Sequence, residues 1–193
     1  MIDTSKPTDL TGKILIAMPS IGDARFEHSV IYMCTHSEEG AMGLIVNKPM
    51  PNLNMVQLFD QLDIDVMDET IAEAPVFFGG PVERTRGFVL HKGALEDEDA
   101  EAMELEDGLY LSATRDVLEA LAEGRGPEAA VLALGYTGWG PGQLEDEIQQ
   151  NGWLTVEADE ALLFDLDVDP KWQNAMAKTG IDPRLLADAQ GSA

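Results

Sequence analysis

The chain has 193 residues, of which 45% are hydrophobic, enough to bury a sizeable core. Asp and Glu number 36 against 12 Lys and Arg, giving a formal net charge of −24 at pH 7. Such a surface repels phosphate backbones and anionic membranes, so direct nucleic-acid binding is disfavoured and the charge serves solubility.

In chain order, residues 13–18 read as a first strand that ends at Pro19. Residues 29–36, centred on Val30, Ile31, Tyr32 and Met33, read as a second, and residues 41–47 as a third closed by Lys48-Pro49. The turn Ser37-Glu38-Glu39-Gly40 predicts that the second and third pair as an antiparallel hairpin. Residues 54–62 predict an amphipathic helix with Met55, Leu58, Phe59 and Leu62 on one face. Short strands are expected at 76–78, 87–91 and 109–112. Thr114 is placed to cap a helix that stops at Gly124. Residues 129–134 form an apolar strand, 143–150 a helix and 153–156 a last strand. Asp169-Pro170 reads as a cap followed by proline at the first helical position, with Trp172, Ala175, Met176 and Thr179 on one face and Gly180 as the stop. Asp182-Pro183 begins a final helical turn, and the chain is expected to fray from Ala187.

Hairpins interspersed with helices, rather than strict strand–helix alternation, predict an α+β fold with a bent, mostly antiparallel or mixed sheet. No internal repeat and no second domain is evident. The expectation is a single domain over 1–193, with its core at about 10–165 and a helical segment at 166–193. Residues 96–107 hold eight acids and no base, but lack the spacing of a calcium loop, so they read as a solvated face. Cys34 is the only cysteine, which excludes an intrachain disulfide and suggests a cytoplasmic protein. The first eight residues lack the basic and apolar regions of a signal peptide. No run of about 18 apolar residues is present, so no membrane partner is expected.

The segment GYTGWGPGQL (135–144) is the most informative stretch, with four glycines and a proline in eight positions. It predicts a tight turn between a buried strand and a helix, where backbone approaches a neighbour closely. It is not a phosphate loop, because no Gly-Lys-Ser/Thr enters the helix and GxGxxG spacing is absent. Glu145, Asp146 and Glu147 would also repel phosphate there. The glycines either let Trp139 pack or form a corner for a neutral ligand or protein segment. Cys34 and His36 invite a nucleophile–base reading, yet residues i and i+2 of a strand stand about 7 Å apart. Too few histidines remain for a metal site, and no cofactor motif is present. Asp23, Arg25, Glu27 and His28 form a polar cluster between two strands, and Asn47 can fix the turn after the third.

Seven segments taken together resemble one family: GKILIAMP (12–19), FEHSV (26–30), EGAMGLIVNKP (39–49), FGGPV (78–82), GFVLH (87–91), GYTGWGPGQLE (135–145) and NGWL (151–154). In this order and spacing they are similar to the AlgH/YqgE family of bacterial proteins, over roughly residues 10–165. The resemblance implies a compact α+β fold, a small β-barrel-like bent sheet surrounded by helices, in a bacterial cytosolic protein. The family carries the label of transcriptional regulator because AlgH was linked to control of alginate synthesis, a pathway effect that names no DNA-binding element. Two departures stand out. Asp23-Ala24 replaces a frequent Asp-Pro, and His28 stands where a basic residue often precedes Ser-Val, which weakens an anion-binding role for that loop.

The family offers no catalytic residues to carry over. Matching positions suited to a binding site are Asn47, Gln143 and Glu147, the backbone of Gly79 and Gly80, and the ring of Trp139. Each sits at a strand end, so they are expected to share one rim. The leading reading is a non-enzymatic regulatory or adaptor protein that contacts a protein or small-molecule partner. The alternative is an enzyme of unknown class with a cleft near the glycine-rich turn.

Overall fold

The computed structural model describes residues 8–95, 101–182 and 184–185. Three strands, β1 (Lys13–Ala17), β2 (Val30–Ser37) and β3 (Gly40–Ile45), form an antiparallel meander. Seven more follow: β4 (Pro49–Asn54), β5 (Pro75–Phe78), β6 (Val82–Lys92), β7 (Met103–Glu104), β8 (Leu109–Ser112), β9 (Ala130–Trp139) and β10 (Trp153–Glu157). The main path of the sheet runs β10-β1-β2-β3-β9-β6-β8-β7, and β5 carries β4 on the flank of β9. Every pairing is antiparallel except that of β5 with β9. The sheet curls into a half-barrel with helices around it, the α+β architecture expected.

The meander is buried on both faces, which explains its near-continuous apolar runs. Ile14, Ile16, Tyr32 and Leu44 enter one core cluster. Leu15, Ile31, Met33 and Ile45 enter another. A third cluster joins Val76, Val89 and Leu132 of the sheet to helical residues Met55, Phe59, Val117 and Leu121.

The glycine-rich segment corrects the expectation of a turn beginning at residue 135. Strand β9 continues through Gly135-Tyr136-Thr137-Gly138 to Trp139, and only Gly140-Pro141-Gly142 turns. The first half of β9 lies between β5 and β6; its far end pairs with β3. Because β5 and β6 flank opposite sides of β9, the short link between them must cross it. That link is Gly79-Gly80-Pro81. A Cβ on Gly79 would overlap the Gly135 carbonyl oxygen, and one on Gly80 would overlap the Tyr136 carbonyl. A Cβ on Gly135 would meet the Val82 carbonyl oxygen at 2.8 Å. Strand β6 then bulges, with 83–86 set against Gly135 alone between the pairs Val82↔Tyr136 and Gly87↔Leu134.

The helices are short. In α1 (Met55–Gln61) Asn54 and Gln57 form a reciprocal capping box. In α3 (Arg115–Ala122) Thr114 occupies the cap position but its side chain makes no cap bond, contrary to its expected role. Helix α4 spans Gln143–Gln149 and α6 spans Lys171–Lys178. Pro170 stands at the cap of α6, one position earlier than its sequence signal placed it. Four elements were not foreseen: β4, β7, α2 (Glu69–Ala72) and α5 (Glu160–Phe164). Each is short or lacks a clean period, and tertiary pairing decides it. Residues 1–7, the first five positions of the acidic run (96–100), Pro183 and the stretch from Leu186, which includes the end expected to fray, lie outside the described residues.

Helix α6 acts as a strap across the ends of the meander. Trp172 Nε1 donates to the Ala17 carbonyl at 2.9 Å, and Lys171 Nζ donates to the Val46 carbonyl at 3.1 Å. Lys171 is only 2% exposed, and burial pulls its pKa down to about 8, opposed in part by Asp165. The unfolded chain, with an ordinary lysine near 10.4, then binds more protons than the native state between about pH 8 and 10.4. Native stability should therefore rise across that window, by up to about 3 kcal/mol. Urea unfolding at pH 7 and pH 10 is expected to show this gain in the wild type relative to Lys171→Met; parallel pH profiles would contradict it.

Candidate functional site

At the end of β9, Trp139 pairs with Ala41 of β3 and its ring meets Trp153 edge-on, with centroids 5.9 Å apart. Both indoles are buried. Each N–H needs an acceptor, and one carboxylate serves both: Glu147 Oε2 accepts from Trp139 at 2.9 Å and from Trp153 at 2.7 Å. Its other oxygen accepts from Gln143 Nε2 at 3.0 Å, and Gln143 Oε1 accepts from the Gly140 N–H at 3.0 Å. The i, i+4 spacing on α4 makes this geometry available. Trp139, Gln143 and Glu147 are thus brought together, with their polar atoms turned on one another.

The other selected residues lie away from this trio, which corrects the expectation that the six share one rim. Gly79 does stay beside the Asn47 end of β3: its carbonyl accepts from the Ile45 N–H at 3.0 Å, and the preceding Phe78 N–H donates to the Lys48 carbonyl at 2.8 Å. Gly79 and Gly80 sit along β9 against Gly135, Tyr136 and Thr137, where Thr137 Oγ1 donates to the Gly79 carbonyl at 3.3 Å. Asn47 lies at the opposite end of β3 from Trp139, six residues beyond Ala41, or about 20 Å of extended chain. It clamps the loop before β2: Asn47 Oδ1 accepts from Val30 N–H and Nδ2 donates to the His28 carbonyl, both at 2.8 Å. That clamp holds His28 at a φ of 55°, a conformation few non-glycine residues adopt.

Beside the clamp is an open cleft of about 290 Å3, walled by Glu27, His28, Lys48, Asp169, Trp172 and Gln173. Glu27 and His28 also line a second hollow of about 360 Å3 against Met18, Pro19 and Ile21. The His28 ring stands edge-on to Trp172 at 4.5 Å. The Lys48 ammonium forms no ion pair among the described residues; burial lowers its pKa, with Glu27 opposing. Sequence reasoning found Asn47 but not this cleft. His28 and Lys48 belonged to flagged segments, and Trp172 to a helix face, yet nothing in the sequence shows that α6 folds back over them.

Cys34 and His36 do not pair. A register shift between Met33 and Thr35 bends β2, Cys34 is buried, and burial pushes its thiol up to about 12. His36 Nδ1 accepts from the Leu10 N–H at 3.1 Å, which leaves Nε2 to donate to Glu145 at 2.8 Å. A Ser–His contact not foreseen joins Ser112 Oγ to His91 Nε2 at 2.9 Å, with His91 Nδ1 on the Gly93 carbonyl at 3.0 Å. Both side chains are wholly buried. Among the described residues no cluster of three His, Cys, Asp or Glu could hold a metal, and no helix is long and apolar enough to cross a membrane.

The model of the AlgH-like family (DUF179) matches residues 14–184. The chain belongs to this family. A UPF0301 protein of Ruegeria pomeroyi is 52% identical over 96% of this chain and 100% of its own length. One of Paracoccus denitrificans is 50% identical over 96% and 98%. The solution structure of AlgH from Pseudomonas aeruginosa superposes with a TM-score of 0.76 at 41% identity, covering 96% of this chain and 97% of that one. A crystal structure from Corynebacterium diphtheriae reaches 0.72 at 20% identity over 91% of this chain and 90% of that one, a likeness of fold alone.

Removing the Glu147 carboxylate leaves two buried indole N–H groups without an acceptor. Glu147→Met is expected to cost about 3 kcal/mol and to shift tryptophan emission, whereas Gln143→Ala, at an exposed position, should cost about 1 kcal/mol. Urea unfolding followed by fluorescence checks both; equal losses would contradict the double-acceptor role.

Proposed function

We propose that this AlgH-like protein is a non-enzymatic regulatory or adaptor protein, acting through a partner or small ligand held in the cleft between His28, Lys48 and Trp172. The observation that carries the reading is Lys48, a partly buried ammonium with no ion pair among the described residues, in a chain of net charge −24. A cation held in such a place awaits an anion, because burial without a partner costs free energy. Glu27 and Asp169 on the same walls favour an occupant that carries both signs, and the Trp172 ring gives it an apolar surface.

The binding role assigned from sequence to Asn47 becomes that of a positioning clamp beside the cleft. For Trp139, Gln143 and Glu147 the internal hydrogen bonds favour packing over ligand contact. The same geometry gives less support to an enzyme: Cys34 is buried with its thiol pushed up to about 12, both nitrogens of His36 are engaged by Leu10 and Glu145, and the Ser112–His91 pair is sealed from solvent. Direct DNA binding is disfavoured by the charge balance.

Immobilised protein should retain a specific partner or ligand from extract of its source cells. Lys48→Glu is expected to abolish retention with a stability change within about 1 kcal/mol, while Gln143→Ala retains it. Loss with Gln143→Ala alone would return the site to the glycine-rich corner; retention by Lys48→Glu would overturn the cleft.

A further inference from the structure

A further cavity, separate from the Lys48 cleft, lies on the face of β6 and β9 between α1 and α3, and measures about 210 Å3. Its floor is two cross-strand pairs, Gly87 opposite Leu134 and Val89 opposite Leu132. Period-two alternation turns all four toward the helices. Leu58 and Leu62, one turn apart at the end of α1, make one wall, and Leu118 of α3 makes another. The space comes from Gly87. A glycine inside a strand weakens it, and is explained by a positive φ, by a neighbouring backbone that comes close, or by a ligand that does. Gly87 has no positive φ, so the bulge that ends there does not call for glycine. No backbone crowds it either: an added Cβ would meet only Leu134 Cδ2, at 3.9 Å. In this it differs from Gly79, Gly80 and Gly135, whose neighbours leave no room for a side chain.

The two helices are braced across the gap rather than collapsed into it. From the first turn of α3, Arg115 donates to the Leu62 carbonyl at 2.9 Å and the Asp63 carbonyl at 3.4 Å, at the end of α1, and to Glu119. These bonds occupy its guanidinium. The Thr114 hydroxyl is buried and sealed from the space, and Thr85 stands exposed at the rim. Among the lining residues no charge is left to pair with an occupant, and the interior presents carbon to whatever enters.

We propose that this cavity binds a small uncharged apolar molecule, about the size of a substituted benzene, with its ring over Gly87. The size agrees: an apolar cavity of about 150 Å3 stays dry and accepts benzene, so this one has room for a ring with a short alkyl arm. Such an occupant restores the dispersion contacts that the missing side chain forfeits.

Benzene and toluene serve as probes in an NMR titration of the full chain, with benzoate as the charged control. The hydrocarbons are expected to give saturable shifts centred on Gly87, Val89, Leu118 and Leu132 at roughly millimolar concentration, with benzoate at least about tenfold weaker. Benzene should also raise the melting temperature, because it binds the native state. Gly87→Val, which fills the floor, should abolish both effects while leaving the melting temperature of the free protein unchanged or higher. Gly87→Ala, whose methyl group meets nothing closer than 3.9 Å, should fold normally and weaken benzene about threefold or more, so the test stands even if the valine variant does not fold. Failure of benzene to saturate by roughly 10 mM overturns the site and leaves the gap to a partner's apolar side chain. Benzoate binding as tightly as benzene overturns the uncharged class. Undiminished benzene binding by the Gly87 variants overturns the placement in this cavity.

Discussion

The fold depends on one place where backbone lies on backbone. Strand β5 runs parallel to β9 on one side, β6 runs antiparallel on the other, and a three-residue link carries the chain across. At that crossing Gly79 and Gly80 press on the carbonyls of Gly135 and Tyr136, so no side chain fits at either glycine of the link. The crossing fixes β9 between two partners, aims its far end at β3, and so joins the meander to the other half of the sheet. Gly135, at a φ of 74°, supplies the bend this needs. The curl of the half-barrel and the placing of all three core clusters follow from it.

Strand β3 then separates two different ends of the molecule. At one end the indoles of Trp139 and Trp153 are buried and their N–H groups satisfied by a single carboxylate, an arrangement in which polar groups serve packing. At the other, Asn47 spends both ends of its amide on the backbone around His28, and α6 is tied down by Lys171 and Trp172. Those bonds hold open a cleft that they do not fill. The contrast lies in the polar groups: around Glu147 the donors have internal acceptors, whereas Lys48 makes no ion pair among the described residues.

Much of the fold was legible in the sequence. Apolar runs bounded by glycine and proline located most strands and the β2–β3 hairpin, and the shared face of Met55, Leu58 and Phe59 located α1. The family motifs supplied the half-barrel. The glycine-rich segment was misread because composition alone suggests a turn: Gly135 and Gly138 serve a strand whose neighbours come too close for side chains, a fact held in residues 79 and 80 rather than locally. The candidate site was legible only in pieces. The i, i+4 relation of Gln143 and Glu147 was visible, but not that Glu147 faces Trp153. Likewise Asn47 and Lys48 were visible, but not the wall that α6 builds beside them, because the docking of a helix 120 residues later leaves no local trace.

The crossing is tested most directly by comparing two alanine substitutions in urea unfolding. Gly142 has a positive φ of 73° and nothing within 4 Å of an added Cβ, so Gly142→Ala reports backbone preference alone and should cost about 1 kcal/mol. Gly79 has no such φ, and its Cβ would strike the backbone of β9, so Gly79→Ala reports the close approach alone. The account expects Gly79→Ala to lose about 4 kcal/mol or more, or to fail to fold, while Gly142→Ala folds normally. A Gly79→Ala protein as stable as Gly142→Ala would contradict it.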